Sequence, residues 1–184
     1  MTKKYMTPQI YNHGIIPVGA NCYGEILKEF TEKFPKIILI TAAHMINNMA
    51  KEIERFGIHV CRFVSSKSID GRGTVLEEFN AVPAGTPVVL LTTPILASKR
   101  GWQVKADTIV LVGCFINLDY GAFDQMINRA EVKEVHLVNC IFTNRQIQDV
   151  WKMRDIRTVK SPLFNTNMLL TSHGVRSIAQ IHGL

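Results

Sequence analysis

No Gly-x-x-x-x-Gly-Lys-Ser/Thr segment occurs anywhere in the 184 residues. Such a loop cradles phosphates with backbone N–H groups, adds a lysine and holds Mg2+ through its hydroxyl. Its absence argues against nucleotide hydrolysis by this chain alone. No Asp-Glu-x-His or Asp-Glu-x-Asp box follows an apolar run, and the Glu77-Glu78 pair reads as the solvated face of a helix. His-Glu-x-x-His, Gly-x-Ser-x-Gly and Gly-x-Gly-x-x-Gly are also missing. The six histidines, at 13, 44, 59, 136, 173 and 182, show no metal-ligand spacing, so no metal site is expected. The four cysteines, Cys22, Cys61, Cys114 and Cys140, form no Cys-x-x-Cys clip. Cys61, Cys114 and Cys140 lie in or beside apolar runs and are expected as buried free thiols. No apolar run approaches the ~18 residues of a membrane helix. The basic start, Met1 to Tyr5, is not followed by a signal-type apolar stretch. The expectation is a chain in a reducing, cytoplasmic setting with no membrane contact.

The hydrophobic fraction of 47% and charged fraction of 20% suit one packed domain. The net charge of +6 leans towards an anionic partner such as nucleic acid. Five short runs rich in Val and Ile read as strands buried on both faces: Lys36 to Thr41, His59 to Val64, Pro87 to Leu91, Thr108 to Val112 and Val135 to Ile141. Helical patterns alternate with them. Tyr23 to Phe34 places Ile26, Leu27, Phe30 and Phe34 on one face. Ala43 to Phe56 carries Met45, Met49, Ile53 and Phe56 in one stripe, with Gly57 at the cap position. Shorter patterns cover Gly73 to Phe79 and Gly121 to Ala130, and Asn144 to Ile156 reads as a further helix. Strands alternating with helices imply right-handed βαβ units and a mainly parallel sheet.

Three segments carry a functional pattern. The helix from Thr41 starts directly off a strand end. Arg72 to Phe79 reads Arg-x-x-x-Leu-x-x-Phe. The third runs from Val88 to Gly113, with Thr92-Thr93, a helix, Gly101 and Ala106-Asp-Thr-Ile-Val110, and continues into Gln125-x-x-x-Arg129-Ala130. In this order and spacing the segments resemble motifs IV to VI of the second, C-terminal RecA-like domain of superfamily 2 helicases. The likeness spans roughly Lys36 to Phe142. It implies an α/β, RecA-like three-layer sandwich over residues 36–142, an N-terminal extension with a helix (1–35) and a C-terminal extension (143–184).

The resemblance also implies roles. Thr92, Thr93, Lys99 and Arg100, with Ser65 and Lys67 after the second strand, would touch a nucleic-acid backbone. Gly101 and Arg129 would lie at the nucleotide, with Gln125 and Arg129 as the catalytic pair, Arg129 reaching the γ-phosphate. Val132 stands where the family has a second arginine, and Glu131 where it has glycine. Other readings stand beside these: Thr92-Thr93 as a helix cap with Pro94 at the first position, Arg129 as a surface ion pair, Trp102 as a base-stacking or a packing residue. ATP and Mg2+ would bind only together with a RecA-like ATP-binding domain, in cis or in trans. The chain is thus expected as the nucleic-acid-binding half of an ATP-dependent helicase or translocase. The alternative is a non-catalytic, helicase-derived binding or assembly protein, as a compact viral or phage gene would supply.

Overall fold

The computed structural model describes residues 7–14, 22–64, 69–99, 101–114, 119–141, 155–158, 168–171 and 174–177. Seven strands form one sheet: β1 (Gln9–Asn12), β2 (Lys36–Thr41), β3 (His59–Phe63), β4 (Val88–Thr92), β5 (Thr108–Cys114), β6 (Glu134–Ile141) and β7 (Ile156–Thr158). Their order is β3-β4-β2-β5-β6-β1-β7, and every neighbouring pair is parallel. A separate antiparallel pair joins β8 (Met168–Thr171) to β9 (Gly174–Ser177).

The period-two alternation of the strands feeds two cores. Ile37 and Leu39, Val89 and Leu91, and Val110 and Val112 face α1 (Cys22–Lys33) and α2 (Ile46–Arg55). Ile38 and Ile40, Val88 and Leu90, and Ile109 and Leu111 face α3 (Ile69–Ala81), α4 (Pro94–Ser98) and α5 (Tyr120–Ile127). Helices on both faces of a parallel sheet make three layers, as the β/α alternation predicts. Each fully buried Val, Leu, Ile or Phe contributes roughly 1.5–3 kcal/mol, so these central strands dominate the stability of the fold.

Local chemistry explains most element ends. Thr93 adopts an extended backbone and its hydroxyl accepts from Leu96 N, with Pro94 in the first turn of α4. The Asp119 carboxylate caps α5 by accepting from Ala122 N at 2.7 Å. Gly57 ends α2 at φ +75°, a left-handed cap that glycine adopts without strain. The stripe expected over Ala43 to Phe56 divides into a 3-10 turn (Ala43–Met45) and α2, which buries Ile46, Met49, Ala50 and Ile53.

Two strands of the seven-stranded sheet, β1 and β7, come from the segments expected as extensions, as does the β8–β9 pair. β1 sits between β6 and β7, and Ile10 is fully buried. The helix expected over Asn144 to Ile156 lies mostly outside the described residues, and Ile156 opens β7. Cys61 and Cys140 are free and buried as expected, whereas the Cys22 and Cys114 side chains lie outside the described residues.

One irregularity shapes the carboxyl ends of the strands. The β5–β6 register shifts between Val112 and Cys114, and Asn139 has φ +52°. In β6, Leu137 and Val138 face opposite cores as alternation requires, but Cys140 joins the core of Leu137 rather than that of Val138. A residue inserted into one strand reverses the facing of all that follow.

Candidate functional site

In an open parallel sheet, ligands meet the loops at the carboxyl ends of the strands. Here those ends are Thr41 of β2, Phe63 of β3, Thr92 of β4 and the irregular ends of β5 and β6. Thr92 is fully buried, and its hydroxyl donates to the Phe63 carbonyl oxygen at 2.8 Å, tying β4 to β3. Its side chain is therefore committed inside the domain rather than offered to a phosphate. Thr93 is 8% exposed and spends its oxygen on the α4 cap at 3.4 Å from Leu96 N. The expected cap is thus present at Thr93.

The loop after α4 is where exposed charge and structure meet. Lys99 is exposed, and Gly101 has φ +101°, which turns the chain sharply and which a side chain would strain. Trp102 packs edge-on against Phe63 with ring centres 5.2 Å apart, and its indole N–H donates to the Leu96 carbonyl at 3.0 Å. Trp102 is thus a packing residue.

Arg129 holds this loop from below. It is 3% exposed. Its Nε–H donates to the Ala97 carbonyl, Nη1 donates to the Trp102 carbonyl at 2.8 Å, and the guanidinium lies 4.5 Å from the centre of the Trp102 ring. The Arg129 carbonyl in turn accepts from Val104 N at 3.3 Å. Burial pushes the guanidinium below the ordinary arginine value, though a group with so high an intrinsic pKa stays charged. Nη2 is buried with no acceptor among the described residues. The expectation of an arginine held out to a partner's γ-phosphate therefore meets a different geometry: the side chain is turned into its own domain, where two carbonyls and an indole ring hold it. It is not a surface ion pair either. Gln125 is half-buried on α5, Glu131 is exposed, and Val132 is 5% exposed in the core. A valine at 132 completes the packing and presents no donor. Ser65, Lys67 and Arg100 lie outside the described residues.

Thr41 marks the strand end from which the sequence pattern starts a helix, and nothing in that pattern singles out its side chain. It is fully buried at the end of the central strand β2, and its hydroxyl has no hydrogen-bond partner among the described residues. The His13–His136 pair was equally invisible. His13 Nε2 and His136 Nδ1 are 2.7 Å apart, and His136 Nε2 lies 3.1 Å from a Glu134 carboxylate oxygen. These residues come from β6 and the end of β1, and only the sheet order brings them together.

A three-layer domain with seven parallel strands and helices on both faces is RecA-like. More particularly, it has the fold of a helicase C-terminal domain. It is similar to the C-terminal domain of the DEAD-box protein Dbp5, with a TM-score of 0.60 at 16% identity over 84% of this chain and 91% of that one. S. cerevisiae Dbp5 bound to RNA and ADP BeF3 matches with a TM-score of 0.59 at 18% identity, over 83% of this chain and 41% of that one. The C-terminal part of the Fun30 ATPase domain matches with a TM-score of 0.51 at 13% identity, over 67% of this chain and 43% of that one. The chain thus spans nearly all of an isolated Dbp5 domain and under half of the longer, RNA-bound Dbp5 chain. No protein-family model matches the chain, and no curated protein matches it by sequence.

Proposed function

We propose that this domain grips the nucleic-acid backbone as the second RecA-like half of a helicase-type ATPase and hydrolyses no ATP alone. The observation that carries this reading is the loop after α4. Arg129 and Trp102 fix it from inside, Gly101 turns it, and Lys99 stands exposed on it at the carboxyl end of α4. A turn that keeps lysine in solvent is suited to phosphate contact, which positions a nucleic acid without reading its sequence. Arg100, adjacent in sequence, adds a second positive charge. The fold likeness to a Dbp5 structure bound to RNA supports a nucleic-acid partner. ATP and Mg2+ would be held by a separate RecA-like domain that carries the phosphate loop.

A second reading is a binding or assembly module without catalysis. Its support is specific: Val132 is buried where the family's second arginine stands, and Arg129 is engaged inside the domain. Both readings share the phosphate-contacting loop and differ in whether an ATP-binding domain responds to this one.

Lys99 can be removed without touching the core, because it is exposed. Lys99→Ala is expected to weaken binding of single-stranded oligonucleotides by a similar factor for every sequence. The slope of log affinity against log salt should fall by about 0.7, the share of one phosphate contact on a single strand. Fluorescence anisotropy at several salt concentrations reads both. An unchanged slope and affinity would remove this loop from the nucleic-acid track.

A further inference from the structure

The fold also gathers three metal-ligating side chains that the sequence keeps apart. His59 and Cys61 are two residues apart on β3, so both point to the face covered by α3. Glu78 reaches them from α3, 19 residues after His59. His59 Nε2 lies 3.5 Å from Cys61 Sγ and 2.7 Å from Glu78 Oε1, and the three ligand atoms all fall within 4.8 Å of one another. We propose that His59, Cys61 and Glu78 form a binding site for a thiophilic divalent cation of the Zn2+ class.

The donor set selects the metal. A thiolate and an imidazole are poor ligands for Mg2+ or Ca2+, which take oxygen. One sulfur, one nitrogen and one carboxylate oxygen suit Zn2+, leaving a fourth tetrahedral position for water. Zinc bonds of about 2.3 Å to sulfur and about 2.0–2.2 Å to nitrogen and oxygen place tetrahedral donor atoms roughly 3.3–3.6 Å apart. The His59–Cys61 pair already has that separation. The His59–Glu78 pair needs to open by about half an ångström, exchanging its hydrogen bond for two bonds to the metal. Both of those side chains are 51% exposed and free to make the adjustment, while Cys61, 2% exposed, is fixed by the sheet.

The cation approaches from the solvent side, past His59 and Glu78. On binding, the Cys61 thiol gives its proton to water, and sulfur donates the freed pair to the metal. The Lys36 ammonium, which donates to the Val82 carbonyl at 3.2 Å and lies 4.8 Å from the centre of the Phe79 ring, is near Cys61. The site lies on the edge strand β3, beginning at its first residue, His59. A metal here would staple α3 to the sheet edge, a role independent of the function proposed above.

The test uses the full chain, freed of metal by chelator and titrated with Co2+ as a spectroscopic stand-in for Zn2+. One equivalent is expected to give thiolate-to-cobalt charge-transfer absorption and intense tetrahedral d–d bands, both displaced by Zn2+. Cys61→Ser is expected to abolish the charge-transfer band. His59→Asn and Glu78→Gln change exposed positions and are each expected to weaken Zn2+ at least tenfold with the circular dichroism unchanged. Absence of the bands at one equivalent, their survival in Cys61→Ser, or undiminished Zn2+ affinity in both exposed variants would overturn the proposal.

Discussion

Replacing Arg129 by alanine is expected to destabilise the domain by about 3–5 kcal/mol. Each hydrogen bond from a charged donor contributes about 1.5–3 kcal/mol, and a desolvated cation–π contact about 1–2 kcal/mol more. The substitution leaves the Ala97 and Trp102 carbonyls without the guanidinium and opens a void beneath the indole ring. For a chain of this size the melting temperature should fall by on the order of 10 °C. Arg129→Lys should recover less than half of the loss, because one ammonium cannot reach both carbonyls and lie flat on the ring. A guanidinium held out in solvent for a partner's phosphate would behave differently, with a change within about 0.5 kcal/mol. Urea unfolding at equilibrium decides between the two, provided the denaturant slope is unchanged. A midpoint equal to that of the unaltered chain would return Arg129 to the surface role that motif spacing suggested.

The second large effect is on acid stability, through His13 and His136. Burial lowers the pKa of each from 6.5 to about 4, with the neighbouring His136 adding to the effect at His13 and Lys33 adding to it at His136. The unfolded chain takes up these protons near pH 6.5 and the folded chain only near pH 4. Protons therefore favour the unfolded chain between those values. The contribution is complete above pH 6.5, shrinks as the pH falls, and is gone below 4. At 1.36 kcal/mol per unit, His136 alone accounts for roughly 3 kcal/mol. The hydrogen bonds fit neutral rings: a neutral His136 with Nε2–H donating to Glu134 leaves Nδ1 to accept from His13. Tyr11 stacks on His136 at 5.4 Å and Phe30 meets it edge-on at 5.1 Å, which keeps water from the ring. His136→Phe should reduce the pH slope of the unfolding free energy between 6.5 and 4 by up to about 1.4 kcal/mol per pH unit, the share of one proton. An unaltered slope would show that His136 does not titrate in the folded chain as described.

Much of this fold is legible in the sequence. The runs of β2, β4 and β5 are apolar on both sides because both faces of the sheet are covered, whereas β3, expected to be buried on both faces, is an edge strand that exposes His59 and Arg62. The Thr93 and Asp119 caps follow from a side-chain oxygen meeting a free N–H two or three residues on. β1 and β7 are not legible. Gln9–Asn12 and Ile156–Thr158 contain four and three residues, and only their place beside β6 makes them strands. Helix α3 begins at Ile69, ahead of the expected Gly73, in spite of the poor helix propensity of Gly71 and Gly73. Motif spacing identified Arg129 as a residue of consequence, but spacing does not say which way a side chain turns. The His59, Cys61 and Glu78 cluster was hidden for a similar reason. Histidine spacing along the chain shows nothing, since the third ligand arrives on a helix that crosses over the edge strand.

The most direct test of the proposed grip is the affinity of the intact domain for a single-stranded oligonucleotide between 50 and 200 mM salt. Three phosphate contacts, one each for Lys67, Lys99 and Arg100, give a log–log slope of about −2 and an affinity loss of roughly 20-fold over that fourfold change. The expected result is a loss of that order, similar for unrelated sequences. No binding at 50 mM salt, or binding indifferent to salt, would contradict a domain that holds nucleic acid by its backbone.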